Sequence, residues 1–208
     1  MSTLQNDDDT MSTKERIAEI AAALFAEHGV ASTSIRMICR EAGITAPTLY
    51  YHFGSKDGLL QHIVFPTLES FLGDVGELPE GSSLHDRLLT LAERVFAFGE
   101  TRPASVRLIA QLDTMPLAED DRQRTTELQT KSMASIASLF QESVESGELP
   151  VVDPLYGAMS FVGLIMFHMA ARQQVPEEAR PPTDEAAAQL VRFVLAGVKG
   201  VASSPTTS

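Results

Sequence analysis

The chain has 208 residues, of which 44% are hydrophobic, so it can bury a sizeable core and hold a small head and a larger body. Its one cysteine, Cys39, excludes an internal disulfide and fits a reducing cytoplasm. The net charge is −12, and the N-terminus has neither the basic start nor the apolar run of a secretory signal, so we expect residues 1–11 to form a disordered tail.

The acidic charge is unevenly distributed along the sequence. Residues 12–62 carry five basic and five acidic side chains, whereas residues 63–208 carry 11 basic and 20 acidic ones. A neutral head on an acidic body can still bind a polyanion if its cations line one face. Charge alone therefore neither supports nor excludes nucleic-acid binding.

Caps and apolar spacing predict the first two helices. Ser12-x-x-Glu15 is a capping box, and apolar residues at helical spacing follow it. Thr33 or Ser34 then caps a second helix, which ends before Gly43, where the chain must reverse.

A third helix is predicted after this turn. Thr45 is its cap, and Pro47 lies in its first turn, where a missing N–H costs no interior hydrogen bond. Leu49 and Phe53 lie four residues apart and form its buried side. Two short helices joined by a tight turn form a helix-turn-helix, whose second helix is free to enter a major groove.

Helix four is predicted to begin at Ser55 and to join the head to the body through a wide apolar face. Pro66 lies in its middle and leaves two alternatives. The helix continues with a kink, which we favour, or it ends there.

The remaining sequence predicts five more helices and no strand, after a Gly/Pro/acidic linker over 73–83. The whole chain is therefore predicted to be all-α with about nine helices. The predicted spans of the later helices are 83–100, 103–113, 118–146, 153–172 and 183–200. The head would cover 12–58, the body 59–201, and a disordered tail 202–208.

Residues 157–171 of helix eight are apolar almost all round. The run is shorter than the ~20 residues of a membrane span, and it contains a serine and a histidine, so we expect protein rather than lipid to cover it. Gly157, Ser160 and Gly163 form a stripe of small residues that would let another helix approach closely. Helices eight and nine (154–172 and 184–200) are thus predicted to form a four-helix interface between two copies of the chain.

Three stretches of the head combine into a recognisable pattern: Leu24-Phe25-x-x-x-Gly29, Arg40-Glu41-Ala42-Gly43-Ile44 and Tyr50-x-His52-Phe53-x-x-Lys56. With them, residues 13–62 resemble the tetracycline-repressor (TetR) family of bacterial transcription regulators. The resemblance implies a ligand-responsive regulator, most readily a repressor, which binds a palindromic operator as a homodimer and is released by a small-molecule effector.

The resemblance also implies which residues contact DNA. Backbone phosphates would be bound by Thr33, Ser34, Arg36, Tyr50, His52 and Lys56. Base edges would be read by Thr45, Ala46, Pro47, Thr48 and Tyr51. Simpler roles stay open for three of them: Tyr50 could pack, His52 could cap the helix end, and Arg36 could be a solvated surface charge.

The head departs from the family pattern at two points. Cys39 stands where a small alanine is common, and we expect it to be a buried hydrophobe rather than a redox switch. The predicted third helix, which would enter the groove, lacks arginine, lysine, asparagine and glutamine. It therefore has few side chains for direct readout of guanine or adenine, which leaves room for indirect readout of DNA shape.

The body is expected to hold a pocket for a largely apolar effector, because methionines and aromatic residues form adaptable apolar cavities. Arg107 could meet an anionic group, and each of the others could instead be plain core. The candidate lining residues are Phe65, Phe96, Arg107, Met115, Met159, Met166, Phe167 and His168.

Enzyme signatures are absent from the sequence, which shows neither a phosphate loop nor a Gly-x-Ser-x-Gly motif, so we expect no catalysis, cofactor or metal site. The rival hypothesis is a TetR-like helical scaffold that acts through protein contacts without binding DNA. The polar-poor groove helix and the low charge of the head motivate it.

Overall fold

The computed structural model describes residues 12–73, 78, 81–115, 117–172 and 174–202. Across these residues there are nine α-helices and no strand, as the sequence predicts. The helices are α1 (Thr13–His28), α2 (Ile35–Ala42), α3 (Ala46–Phe53), α4 (Lys56–Gly73), α5 (Leu84–Thr101), α6 (Pro103–Ile109), α7 (Glu119–Glu145), α8 (Pro154–Arg172) and α9 (Thr183–Ala202). The predicted N-terminal tail, most of the predicted linker and residues 203–208 lie outside the described residues, while Ala202 of the predicted C-terminal tail is the last residue of α9.

Local hydrogen bonds explain where the head helices begin and end. The Ser12 hydroxyl accepts from the Glu15 N–H, and the Glu15 carboxylate accepts from the Ser12 N–H, so the predicted capping box is confirmed. Ser34, not Thr33, caps α2 by accepting from the Met37 N–H. Gly43 has φ 63°, a left-handed conformation that glycine adopts without a Cβ penalty.

Helix α4 continues through Pro66, as favoured from the sequence. Pro66 lies on the exposed side of the helix, whereas Val64 and Leu68 on the other side are buried. Packing of that apolar face holds the helix together across the proline.

Helix α6 is shorter than predicted and ends at Ile109 instead of Asp113. The chain tightens into a 3-10 turn over Leu112–Thr114, where both the N–H and the hydroxyl of Thr114 donate to the Gln111 carbonyl. The α-helical pattern therefore stops one turn early.

The helices surround two hydrophobic cores. The head core is built on Ile17, Phe25, Ile38, Leu49 and Leu59, none of which is exposed, and it reaches into α4 and α6 through Leu68 and Leu108. The body core joins α5, α7, α8 and α9. Because α6 packs on both α1 and α4, the base of the body rests directly on the head.

Candidate nucleic-acid interface and effector cavity

Helix α3 presents its outer side to solvent. Leu49 is fully buried and fixes the helix against the head core, which leaves Tyr51 85% exposed and Tyr50 about half exposed. The Tyr51 and His52 rings meet edge to face with centroids 5.2 Å apart. The exposed Tyr51 ring, on a helix fixed by Leu49, is available for contact with a partner.

The start of α3 is also prearranged. Thr45 occupies the N-cap position, but its side chain makes no capping bond. Instead the hydroxyls of Thr45 and Thr48 hydrogen-bond to each other at 2.9 Å. Thr45, Pro47 and, across the turn, Ser34 and Arg36 are exposed, so these predicted contact residues lie at the surface.

Thr33 does not fit the role of a phosphate anchor. The residue is 0% exposed, and its hydroxyl donates to the carbonyls of Gly29 (2.9 Å) and Leu24 (3.2 Å). The predicted phosphate contact through this side chain is therefore wrong, because the hydroxyl closes the loop between α1 and α2 from inside.

Lys56 is also turned into the head. Its Nζ donates to the carbonyls of Val30 (2.8 Å) and Thr33 (3.0 Å), so the side chain ties the start of α4 to the α1–α2 loop. Two of its three donors are thus committed. Lys56 thus positions the start of α4, and with one donor uncommitted on a half-buried side chain its phosphate contact stays a prediction.

Arg16 is a second structural cation that the sequence did not reveal. Its guanidinium donates to the Ala42 carbonyl at 3.0 Å, at the C-terminal end of α2. No local motif announces this contact, because the two residues lie far apart in sequence. Cys39, by contrast, is a buried free thiol, as predicted.

The body contains a cavity of about 360 Å³ among α4 to α8. Its lining carries no charged side chain, and its polar groups come from Gln129 and Ser132 of α7. The other lining residues are Leu68, Leu91, Val95, Ile109, Ala110, Leu112, Met133, Ile136, Phe161, Val162, Ile165 and Met166. A mostly apolar cavity of this size, with few polar groups, is typical of a small-molecule site.

The structure places the predicted lining residues in different parts of the body. Met166 lines the cavity, as predicted, while Phe96 and Arg107 line a smaller one of about 220 Å³ nearby. Met159 and Phe167 do not line these cavities and are 53% and 71% exposed on the outer side of α8.

Three further candidates also lie outside the lining of the main cavity. Phe65 and Met115 are buried near the junction with the head, where the Arg124 guanidinium lies 4.0 Å from the Phe65 ring. His168 is half-buried beside Phe96, with ring centroids 6.2 Å apart. The sequence named side chains of suitable type, but the rotation of each helix decides which of them reach the cavity.

The cavity residues that we missed carried a detectable signal on α7. Gln129, Ser132, Met133 and Ile136 share one helical face, so two polar residues interrupt a core-facing stripe. Polar residues at core positions are often errors or functional sites, and here they border the cavity.

The outer side of α8 and α9 is an exposed apolar surface. Its large members are Leu155, Tyr156, Met159, Leu164, Phe167 and Phe193. The predicted small-residue stripe is divided: Gly157 packs inward on the Phe140 ring, while Gly163 has open space where a Cβ would stand. Gly157 therefore lets α7 approach closely within the chain.

Helix α8 is the one described helix with the length and hydropathy of a membrane span. One side of it, including Phe161, Ile165 and Met169, is buried against the other body helices. The helix is thus built into the protein on one side and uncovered on the other.

A second cavity of about 410 Å³ lies at the junction of α1, α4 and α6. It contains Glu15, Glu19, His62 and Arg102. Burial, aided by the nearby Lys14 ammonium, holds the pKa of His62 below its usual value. His62 also packs on Phe53, with ring centroids 5.3 Å apart, so α4 contacts the end of α3 here.

The fold and the exposed α3 define an all-helical protein with an N-terminal helix-turn-helix. Residues 17–63 match the model of the bacterial regulatory proteins of the tetR family. The transcriptional regulator UidR of Escherichia coli is 36% identical over 77 residues, 37% of this chain and 39% of UidR. The aligned part thus spans about two fifths of that relative.

Solved structures extend the likeness to the body. The TetR family regulator PfmR from Thermus thermophilus superposes with a TM-score of 0.76 at 22% identity, over 89% of this chain and 96% of PfmR. AibR, in complex with isovaleryl coenzyme A and operator DNA, gives 0.72 at 21% identity, over 88% and 98%. At this identity the likeness shows the fold. The head thus matches the tetR family of bacterial regulatory proteins, and the described chain has the fold of these solved structures.

Proposed function

We propose that this protein is a homodimeric, DNA-binding transcription repressor of the cytoplasm, released from its operator by a small-molecule effector. The observation that carries the proposal is the solvent-exposed α3, which is clamped by Leu49 and presents Tyr51 to solvent. A rigid, exposed second helix of a helix-turn-helix is suited to the major groove.

The DNA contacts divide by chemistry. Ser34, Arg36, Tyr50 and His52 would bind phosphates, and Arg36 is the exposed cation of this set. Thr45, Ala46, Pro47, Thr48 and Tyr51 would face the bases. Since none of these five offers the bidentate hydrogen bonds that read guanine or adenine, apolar contacts to thymine methyl groups and DNA shape would supply the specificity.

The dimer would form through the outer side of α8 and α9. Phe167 and Phe193 are each about 70% exposed there, and Gly163 leaves room for close helix approach. A second copy of the same surface covers such a patch symmetrically and positions two heads on a palindrome.

Effector control would run through α6. This helix lines the cavity with Ile109, as does its C-cap residue Ala110, and it packs on both α1 and α4. A ligand that displaces α6 would therefore change the position of the head relative to the body. Ligand binding would then lower the affinity for DNA, and DNA binding would lower the affinity for the ligand. AibR, whose structure contains both an acyl-coenzyme A and operator DNA, is a precedent for a protein of this fold.

The test is selection from a random duplex pool by the purified full chain at about physiological salt, where non-specific binding is weak. We expect a palindromic site to be enriched and the protein to sediment as a dimer. A folded dimer that enriches no sequence would contradict the proposal and favour a scaffold acting through protein contacts.

A further inference from the structure

Three neighbouring cavities line up between α6 and α8. The main cavity shares Ala110 and Met166 with a second of about 280 Å³, and the second shares Arg107 with a third of about 220 Å³. From Val162 to Arg172 they follow α8 over roughly 15 Å, given the rise of an α-helix. Because neighbouring cavities share lining residues, we call the three together the α6–α8 groove.

The inner end of the groove has no charged side chain among the described residues, but it contains the Ser132 hydroxyl, which has no hydrogen-bond partner among them. Thr33, Thr67, Thr125 and Ser143 are buried, and each donates to a main-chain carbonyl. Ser132 is only 5% exposed, yet its hydroxyl makes no hydrogen bond to the described residues. No fully enclosed polar side-chain atom of the described residues lacks a partner, so the Ser132 oxygen keeps some accessible surface, and Ser132 lines the cavity.

The outer end of the groove is cationic. Arg107, Arg172 and Arg180 line it together with one carboxylate, Glu100. Arg172 is held in place, since its guanidinium pairs with Glu100 at 2.8 Å and donates to the Pro181 carbonyl at 2.7 Å. Arg180 is fixed by a bond from its Nε to the Val175 carbonyl at 2.9 Å. Among the described residues that line this end, arginines outnumber carboxylates, although the body is acidic overall.

We propose that the effector is an anionic amphiphile lying along the α6–α8 groove. Its apolar part fills the inner cavity, with a carbonyl or similar polar atom at Ser132, and its carboxylate or phosphate meets Arg107 and Arg180. The inner cavity of about 360 Å³ has the volume of roughly 12 waters at about 30 Å³ each, which suits a medium-length acyl group. This inference deepens the effector part of the proposed function and rests on it.

The chemistry can come from two sources, a free carboxylic acid or an acyl thioester of a phosphorylated carrier. Calorimetric titration of the full chain without DNA therefore uses octanoate, octanoyl-coenzyme A and uncharged octanol. We expect at least one anion to bind more tightly than octanol, because guanidinium contacts to carboxylate or phosphate are charge-assisted. The tighter of the two anions identifies the source.

Substitutions at the outer end test the arginines. Arg107→Gln and Arg180→Gln should each weaken the anion by about tenfold and leave octanol binding unchanged. Lys131→Gln, which neutralises an exposed cation on α7 away from the groove, is the matched control and should change neither. Equal affinity for octanol and both anions, or unchanged anion affinity in both arginine variants, would overturn the proposal.

Blocking the inner end tests the cavity. Ser132→Phe should abolish binding of all three probes while the circular dichroism spectrum stays helical. Ala110→Phe, at the exposed junction of two cavities, provides the same test if the first variant does not fold. Probe binding that persists in a folded blocked variant, or no anion binding by the wild type, contradicts the inference. Probe binding and circular dichroism are both measured without DNA. The effector inference can therefore be tested even if operator selection fails.

Discussion

The head and the body of this protein differ in one respect: among the described residues, the buried hydroxyl without a hydrogen bond, that of Ser132, lies in the body. In the head, the buried Thr33 hydroxyl and the Lys56 ammonium are bonded to loop carbonyls, which makes one closed unit of three short helices. In the body, Ser132 keeps an unused hydroxyl on a cavity of about 360 Å³. A closely packed core suits the head, whose surface must keep its shape. A core with a cavity suits the body, which must receive a ligand.

Truncating apolar side chains should expose this difference most strongly. Leu49→Ala removes a fully buried side chain from the head and should cost about 2–5 kcal/mol of unfolding free energy. Met133→Ala, at the rim of an existing cavity, should cost about 1 kcal/mol or less, since few contacts are lost. Urea unfolding at one fixed protein concentration measures both. Equal losses would mean that the two cores are equally closed.

Lys56→Met should have the next largest effect. The substitution keeps the apolar stem but leaves the carbonyls of Val30 and Thr33 without their donor, at a cost of about 1–3 kcal/mol. Lys131→Met, at an exposed site, is the control and should change stability by less than about 0.5 kcal/mol. If both variants are equally stable, the Lys56 hydrogen bonds do not stabilise the head. The predicted contact of Lys56 with a DNA phosphate would then be favoured.

Ser132→Ala should be nearly neutral or stabilise by up to about 0.5 kcal/mol, because no hydrogen bond is lost and alanine favours the helix. Ser143→Ala on the same helix should instead destabilise by about 1 kcal/mol, since the Ser143 hydroxyl donates to the Leu139 carbonyl. Thermal melts of both variants show whether each substitution raises or lowers the stability relative to the wild type. A clear loss of stability in Ser132→Ala would show that its hydroxyl is already satisfied.

The smallest effect concerns the capping box. Hydrogen bonds from the hydroxyl and the N–H of Ser12 hold the pKa of Glu15 below its usual value of 4.5. The ionised carboxylate therefore stabilises the head above that pH, and the contribution is lost as the pH falls through the lowered pKa. Glu15→Gln should be less stable than the wild type at neutral pH, and the difference should vanish in acid. A constant difference across pH would exclude this cause.

Much of the fold could be predicted because its signals are local. The Ser12 capping box, the turn at Gly43 and the periodicity of α9 are each contained within a few residues. Even the course of α4 through Pro66 followed from the apolar residues on either side of it.

The candidate site was less predictable because it depends on long-range contacts. Lys56 carries a cation in a family-like position, yet its partners lie 23 and 26 residues away, and nothing local shows that it turns inward. Phe167 and Met166 are adjacent in the sequence, but one is exposed and the other lines the cavity. Which side of α8 faces inward is fixed by its packing against α7 and α9.

The central claim is that α3 reads DNA, and the most direct test is the affinity of Tyr51→Ala for the selected duplex. The exposed ring makes no core contact, so the variant should melt as the wild type does. We expect its affinity for the selected site to fall at least tenfold, since a base contact is worth about 1–3 kcal/mol per site. Affinity for unrelated duplexes should stay the same. An unchanged affinity for the selected site would show that this face of α3 does not read the operator.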